Sequence, residues 1–144
     1  MAMKKLLTVA ALLAAGCPYL FAQKLAASKV PAIVRATFVK LYPSTNAKWE
    51  VEAGKYEAGF KQDGNTMSVL IDKDGVLAET ETGIKVTALP APVLAYVKEH
   101  YAGKAIKEGA KITRADGTVT YEAEVDGKDV IFDASGKFLK ETKA

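Results

Sequence analysis

Hydrophobic and polar positions along this chain change their period twice, and in the same order each time. Val30, Ile33, Val34, Phe38 and Leu41 recur at helical spacing, with Lys29, Arg35 and Lys40 elsewhere on the wheel. Ser28 offers a capping hydroxyl, Pro31 falls in the first turn where its missing N–H costs little, and Pro43 ends the helix at Tyr42. A second helix is predicted on the same plan. Thr87 is its cap, Pro90 lies in its first turn, Val93, Val97 and Tyr101 form its stripe, and Gly103 ends it.

After each helix the period falls to two, as in half-buried strands. Trp49 and Val51 alternate with Lys48, Glu50 and Glu52; Tyr56, Ala58 and Phe60 alternate with Glu57, Gly59 and Lys61; Met67, Val69 and Ile71 follow. Gly54-Lys55, Asp63-Gly64 and Asp74-Gly75 supply turn residues that tolerate positive φ. Further strands are predicted over residues 111–114, 118–125, 128–132 and 137–141, joined at Asp116-Gly117, Asp126-Gly127 and Ser135-Gly136. Joints this short make sequence neighbours sheet neighbours.

The two stretches also share residues. Val30-Pro31-Ala32 returns as Leu89-Pro90-Ala91, Tyr56-Glu57-Ala58 as Tyr121-Glu122-Ala123, and Asp63-Gly64 as Asp126-Gly127. Conserved order with a drifting offset is the mark of a duplicated unit, here about residues 28–82 and 87–142. Each helix supplies one apolar stripe and each set of strands one apolar face. The economical arrangement lays both helices on one face of a continuous antiparallel sheet of seven or eight strands, an α+β fold. The reverse face would carry Lys48, Glu50, Glu52, Lys55, Glu57, Lys61, Glu122 and Glu124, mixed in sign and exposed.

The ends and the charge narrow the function. Lys4 and Lys5 followed by the apolar run Leu6–Ala15 read as an export signal, too short to span a bilayer. Two cuts compete. One follows Ala22, giving a signal over 1–22 and a single domain over 23–144; the other leaves Cys17 as a lipidated N-terminus, and apolar Tyr19-Leu20-Phe21 favours the first. The chain is thus expected to be periplasmic or secreted, or a lipoprotein anchored through Cys17. No disulfide can staple it, because Cys17 is its only cysteine. Without Lys4 and Lys5 the formal charge falls from +3 to +1, and no basic stripe suggests nucleic acid.

Catalytic patterns are missing. His100, the only histidine, stands at the end of a helix, and no nucleotide, hydrolase or metalloprotease motif occurs. No cofactor and no metal set is therefore expected. Asp72-Lys73-Asp74-Gly75 begins like a calcium loop but lacks the later donors, so a hairpin turn explains it. Glu50, Glu52 and Glu57 could form a glycosidase pair, yet their alternation with Lys48, Lys55 and Lys61 points to cross-strand ion pairing. Trp49 and Tyr56 fall in the apolar register and are expected in the core.

The Pro-led helices ending in Tyr42 and Tyr101, the Trp49 strand, the Tyr-Glu-Ala strands and the Asp-Gly hairpins resemble the PepSY-like, beta-lactamase-inhibitor-like family of small exported proteins. That resemblance implies the tandem helix-plus-sheet fold and an inhibitory or chaperoning role toward an exported protein or enzyme, with no catalytic residues. The second unit has no tryptophan at the place of Trp49, so the two halves are not expected to bind alike. Partner contacts are expected from Lys48, Glu50, Lys55, Glu57 and Lys61. The alternative is a small-ligand or cation-binding protein working through the Asp-Gly turns.

Overall fold

The computed structural model describes residues 23–144; the export signal expected over 1–22, with Cys17, lies outside the described residues. Strand β1 (Gln23–Leu25) leads through a 3-10 turn, Ala27–Lys29, into helix α1 (Ala32–Leu41). Four strands follow: β2 (Lys48–Glu52), β3 (Lys55–Gln62), β4 (Asn65–Ile71) and β5 (Leu77–Ile84). A second 3-10 turn, Val86–Ala88, precedes helix α2 (Ala91–His100) and strands β6 (Ile106–Arg114), β7 (Val119–Val125), β8 (Lys128–Asp133) and β9 (Phe138–Lys143). All nine strands pair antiparallel in sequence order, so the sheet is one continuous ribbon.

Register decides which side each residue faces, because directly paired residues share a face. Trp49 pairs with Ala58, Ala58 with Val69, Val69 with Thr80 and Thr80 with Thr113. Gly109, four residues before Thr113, pairs with Ala123, and Ala123 with Val130. All of these lie on one side of the sheet. Val34 and Phe38 of α1 pack there with Trp49, Ala58, Phe60, Val69 and Ile71. Val93 and Val97 of α2 pack with Ala123, Val125, Val130 and Phe132. Both helices therefore cover the same face, as the amphipathic patterns require, and the fold is α+β.

Three details depart from the sequence reading. Ser28 and Thr87 sit inside the 3-10 turns and cap nothing; the N-cap positions are Pro31 and Pro90, with no side-chain cap hydrogen bond. The lead-in residues Gln23–Leu25 become an edge strand on β2. Strand β5 runs over Leu77–Ile84, which carries no apolar alternation, and it joins the two halves by pairing with β6 from Glu79–Arg114 to Ile84–Gly109.

Turn chemistry explains how the helices are pinned. Gly75 (φ +82°) and Gly136 (φ +85°) occupy equivalent turns, after β4 and after β8. A Cβ on Gly75 would stand 2.8 Å from Ile33 Cγ1, and one on Gly136 would stand 2.9 Å from Pro92 Cβ. Only glycine permits both the left-handed backbone and the approach to the helix. At the first of these turns the Thr37 hydroxyl also donates to the Gly75 carbonyl over 2.7 Å.

Candidate functional site

The five expected contact residues lie on the helix-free face, since Glu50 pairs with Glu57, Glu52 with Lys55, and Lys48 with Gly59. Their exposure differs from the expectation. Lys48 and Lys61 are exposed and Glu50 and Lys55 half-buried, but Glu57 is buried. Glu52 and Glu122, also expected in solvent, are buried as well. Two further acids on this face, Glu79 and Glu81, come from β5, whose strand the sequence reading did not separate out.

The cause is curvature. Among the described residues no helix covers this face, yet Glu81 is only 1 % exposed and Asp129 3 %. The side chains bury one another because the sheet curls around them. Glu79 on β5 and Lys140 on β9 influence each other's ionisation across four strand spacings. In a flat sheet those strands would be ~19 Å apart, beyond effective reach in salt. Small residues at the centre, Gly59, Gly83 and Ala110, leave room for the bend; a Cβ on Gly83 would stand 3.2 Å from the Thr66 carbonyl oxygen.

Ladder register then determines which charges meet. Glu57 on β3 faces Leu70 on β4, which faces Glu79 on β5, which faces Arg114 on β6. One step along β5, Glu81 lies between Ser68 and Ile112. Arg114 Nε approaches Glu79 Oε2 at 3.5 Å, giving that carboxylate a partner. Glu81 has no such relief: both of its carboxylate oxygens are buried without a hydrogen-bond partner. Glu52 Oε2, Glu122 Oε2, Asp129 Oδ2 and the Thr120 and Thr142 hydroxyls share that condition.

Burial without compensation disfavours the charged form. Glu52 is pushed up to about 8, first by desolvation and then by the charges of Glu57, Glu79 and Glu50. Glu122 is likewise raised to about 8, by burial and by Asp129. Asp129 rises to about 6 through burial and Glu124. Glu81, deepest of all, is raised well above the usual carboxylate range by burial and by Glu122, Glu57, Glu79 and Asp129. Glu79 rises through burial, while Arg114, Lys55 and Lys140 draw it back. The face is therefore a proton-holding acidic floor, not the solvated mixed lattice that the alternation suggested. Glu50 stands between Lys24 on β1 and Glu57 on β3, and Glu52 stands opposite Lys55.

Other candidates have local structural roles. Trp49 is buried edge-on against Phe38, with ring centroids 5.4 Å apart. Tyr56 is half-buried against the same core. His100 stacks on Tyr96 at 3.9 Å, and its Nδ1 lies 3.0 Å from the Tyr96 carbonyl oxygen, which anchors the end of α2. The turn aspartates serve their turns. Asp72 Oδ1 accepts from the N–H groups of Asp74 (2.8 Å) and Val76 (3.0 Å), and Asp133 Oδ1 from those of Ser135 (2.8 Å) and Lys137 (3.0 Å). An open cavity of about 290 Å³ beside β1 and β2 is lined by Lys24, Leu25, Ala27, Ala47, Lys48, Trp49 and Glu50.

Comparison with known proteins places the chain by fold. The family model described as "Putative beta-lactamase-inhibitor-like, PepSY-like" matches residues 21–79 and again 54–140. A BLIP-like protein of Bacteroides fragilis is similar in structure at 25 % identity and a TM-score of 0.62, over 78 % of this chain and 85 % of its own. A DUF2874 family protein of Bacteroides ovatus is similar at 24 % identity and a TM-score of 0.66, over 78 % and 86 % of the two chains. A protein of Bacteroides eggerthii, described as a "putative periplasmic" protein, aligns at 16 % identity with a TM-score of 0.71, over 79 % and 88 %. None of the curated proteins matches the sequence. Among the described residues no helix is long and apolar enough to cross a membrane.

Proposed function

The chain belongs to the PepSY-like, beta-lactamase-inhibitor-like family, and from that membership and the shape of its sheet we propose that it is a non-enzymatic, extracytoplasmic protein-binding module of inhibitory type. The observation that carries this reading is the asymmetry of one continuous sheet. Both helices are used to close one face, and the other is a curled surface dense in ionisable side chains with no helix over it among the described residues. A concave face bounded by hairpins can grip a partner over a wide area. Lys48, Glu50, Lys55, Glu57 and Lys61 form its β2–β3 end, with Lys48 and Lys61 accessible at the rim. The export signal and the periplasmic description of the Bacteroides eggerthii protein support a site of action outside the cytoplasm.

Crosslinking in the intact cell envelope tests the reading. A discrete adduct that disappears in the Lys48→Glu, Lys61→Glu double variant is the expected result. An envelope that yields no adduct, together with variants that change no phenotype, would remove it. The alternative of cation binding at the Asp-Gly turns gains no support, because Asp72 Oδ1 and Asp133 Oδ1 serve as acceptors within their own turns.

A further inference from the structure

Four acids on the curled face leave at least one buried oxygen without a partner, and two uncharged groups beside them, the Thr120 and Thr142 hydroxyls, do the same. Each buried polar atom left unbonded costs an appreciable share of a domain's small net stability. A face built this way has donors still to receive. The positive charges that face it collect at one end. Arg114 and Lys140 stand beside Glu79, Lys55 is opposite Glu52, and Lys24 of β1 is opposite Glu50. Lys48 and Lys61 remain at the rim. Toward the other end the charge is negative: Glu108 and Glu124 add to Glu122 and Asp129, with Lys107 Nζ 3.9 Å from Glu124 Oε1. Strand β4 contributes no titratable group, and Asp133 at the end of β8 is bound into its own turn.

The chemistry of the missing donor can be narrowed. Among the described residues no three acidic, histidine or cysteine side chains come together to hold one metal ion. Carboxyls spread over β2, β5, β7 and β8 suit N–H donors that reach several oxygens at once, as an ammonium or a guanidinium does. We propose that this face receives the lysine and arginine side chains of a basic segment on the partner protein, with Glu81 at the centre and Glu52, Glu122 and Asp129 around it. The inference rests on the protein-binding reading above and specifies its chemistry. Because Glu81 is closed off in the tight curl, binding there requires the strands to spread, and the cation then displaces carboxyl protons. Ionised acids repel one another and favour that spreading, so protons and the basic segment compete for the same groups.

Titration calorimetry with a deca-lysine peptide, and with the same peptide fully Nε-acetylated, reads this directly. Deca-lysine is expected to bind at pH 8 despite the net positive charge of the protein, at least about tenfold more weakly at pH 5, with the acetylated peptide silent. At pH 7, buffers of different ionisation enthalpy should reveal protons released on binding. The Glu81→Gln, Glu122→Gln double variant should bind at least about tenfold more weakly, and Glu99→Gln on the exposed side of α2 should bind unchanged. Equal binding of the acetylated peptide, or no proton release from the unmodified protein, overturns the proposal even where the double variant folds poorly. An envelope crosslink that survives in the double variant overturns it too, while leaving the protein-binding reading intact.

Discussion

On the helix-covered face Val34, Val69, Val93 and Val130 are wholly buried among other apolar side chains; on the reverse face Glu81 is buried just as deeply between Ser68 and Ile112, within reach of the charges of Glu122, Glu57 and Glu79. Equal burial has opposite meanings on the two sides. Removing apolar surface from water is favourable at ~25 cal/mol per Å². Removing a carboxylate from water is unfavourable unless a proton, a cation or a hydrogen-bond donor compensates it. The first face contributes apolar burial throughout; on the second, Leu70, Ile112 and Ile131 are buried too, but the carboxyls between them store a cost that protons offset. This difference teaches that burial alone does not identify a core; the groups beside the buried atom do.

The comparison can be broken most strongly from the apolar side. Phe132, fully buried beneath α2 and edge-on to Tyr96 at 5.4 Å, should cost about 3–5 kcal/mol when replaced by alanine, read by urea denaturation. Next, Gly136→Ala forces a left-handed alanine against Pro92 and should cost about 2 kcal/mol in the same assay, since a strained non-glycine position costs about 1–3 kcal/mol. A loss below half that figure would mean that the turn does not pin α2.

The acidic side should respond with the opposite sign. Glu81→Gln keeps the volume and removes the charge, so it should stabilise the protein at pH 8 by about 1–2 kcal/mol and change little at pH 4.5. Destabilisation at pH 8 would show that the Glu81 carboxylate has a partner. The pH profile of the unmodified protein sharpens the point. Glu52 and Glu122 hold protons up to about 8 when folded, against 4.5 ordinarily, and Asp129 up to about 6, against 3.8. The folded state therefore binds more protons than the unfolded chain between those limits, and its stability falls as pH rises from about 4.5 to 8. Asp133, Asp116 and Glu141 act in the other sense, because their carboxyls are held below the usual range; the stability they contribute is lost as pH falls through their folded values. The melting temperature should peak near the ordinary carboxylate range and decline toward pH 8. The smallest effect belongs to the surface: Lys128→Ala, which breaks a 2.6 Å pair with Glu141, should cost no more than about 1 kcal/mol.

Much of this was legible in the residues. The Val34 and Val93 stripes, the twofold alternation around Trp49 and Tyr56, and the Asp-Gly joints identify the helices, most strands and the choice of face, because each is a short-range pattern with a steric cause. Asp63 (φ +50°) and Asp126 (φ +52°), each followed by a positive-φ glycine, make the tight turns expected of them. Strand β5 was harder to see. Glu79-Thr80-Glu81-Thr82 alternates one polar type with another, since Thr80 and Thr82 occupy the helix side where an apolar residue would have marked the strand. That Glu-Thr alternation was the available signal, and with it went Glu79 and Glu81.

By itself the sequence determined which residues share a face, since a pleated strand sends neighbours to opposite sides whatever surrounds it. Only the tertiary structure decided what that face is. Glu57 and Glu122 look solvent-exposed in any single hairpin, and they are buried because nine paired strands twist and curl until distant side chains meet. Twist accumulates over the whole sheet. No local stretch of the chain records its sum.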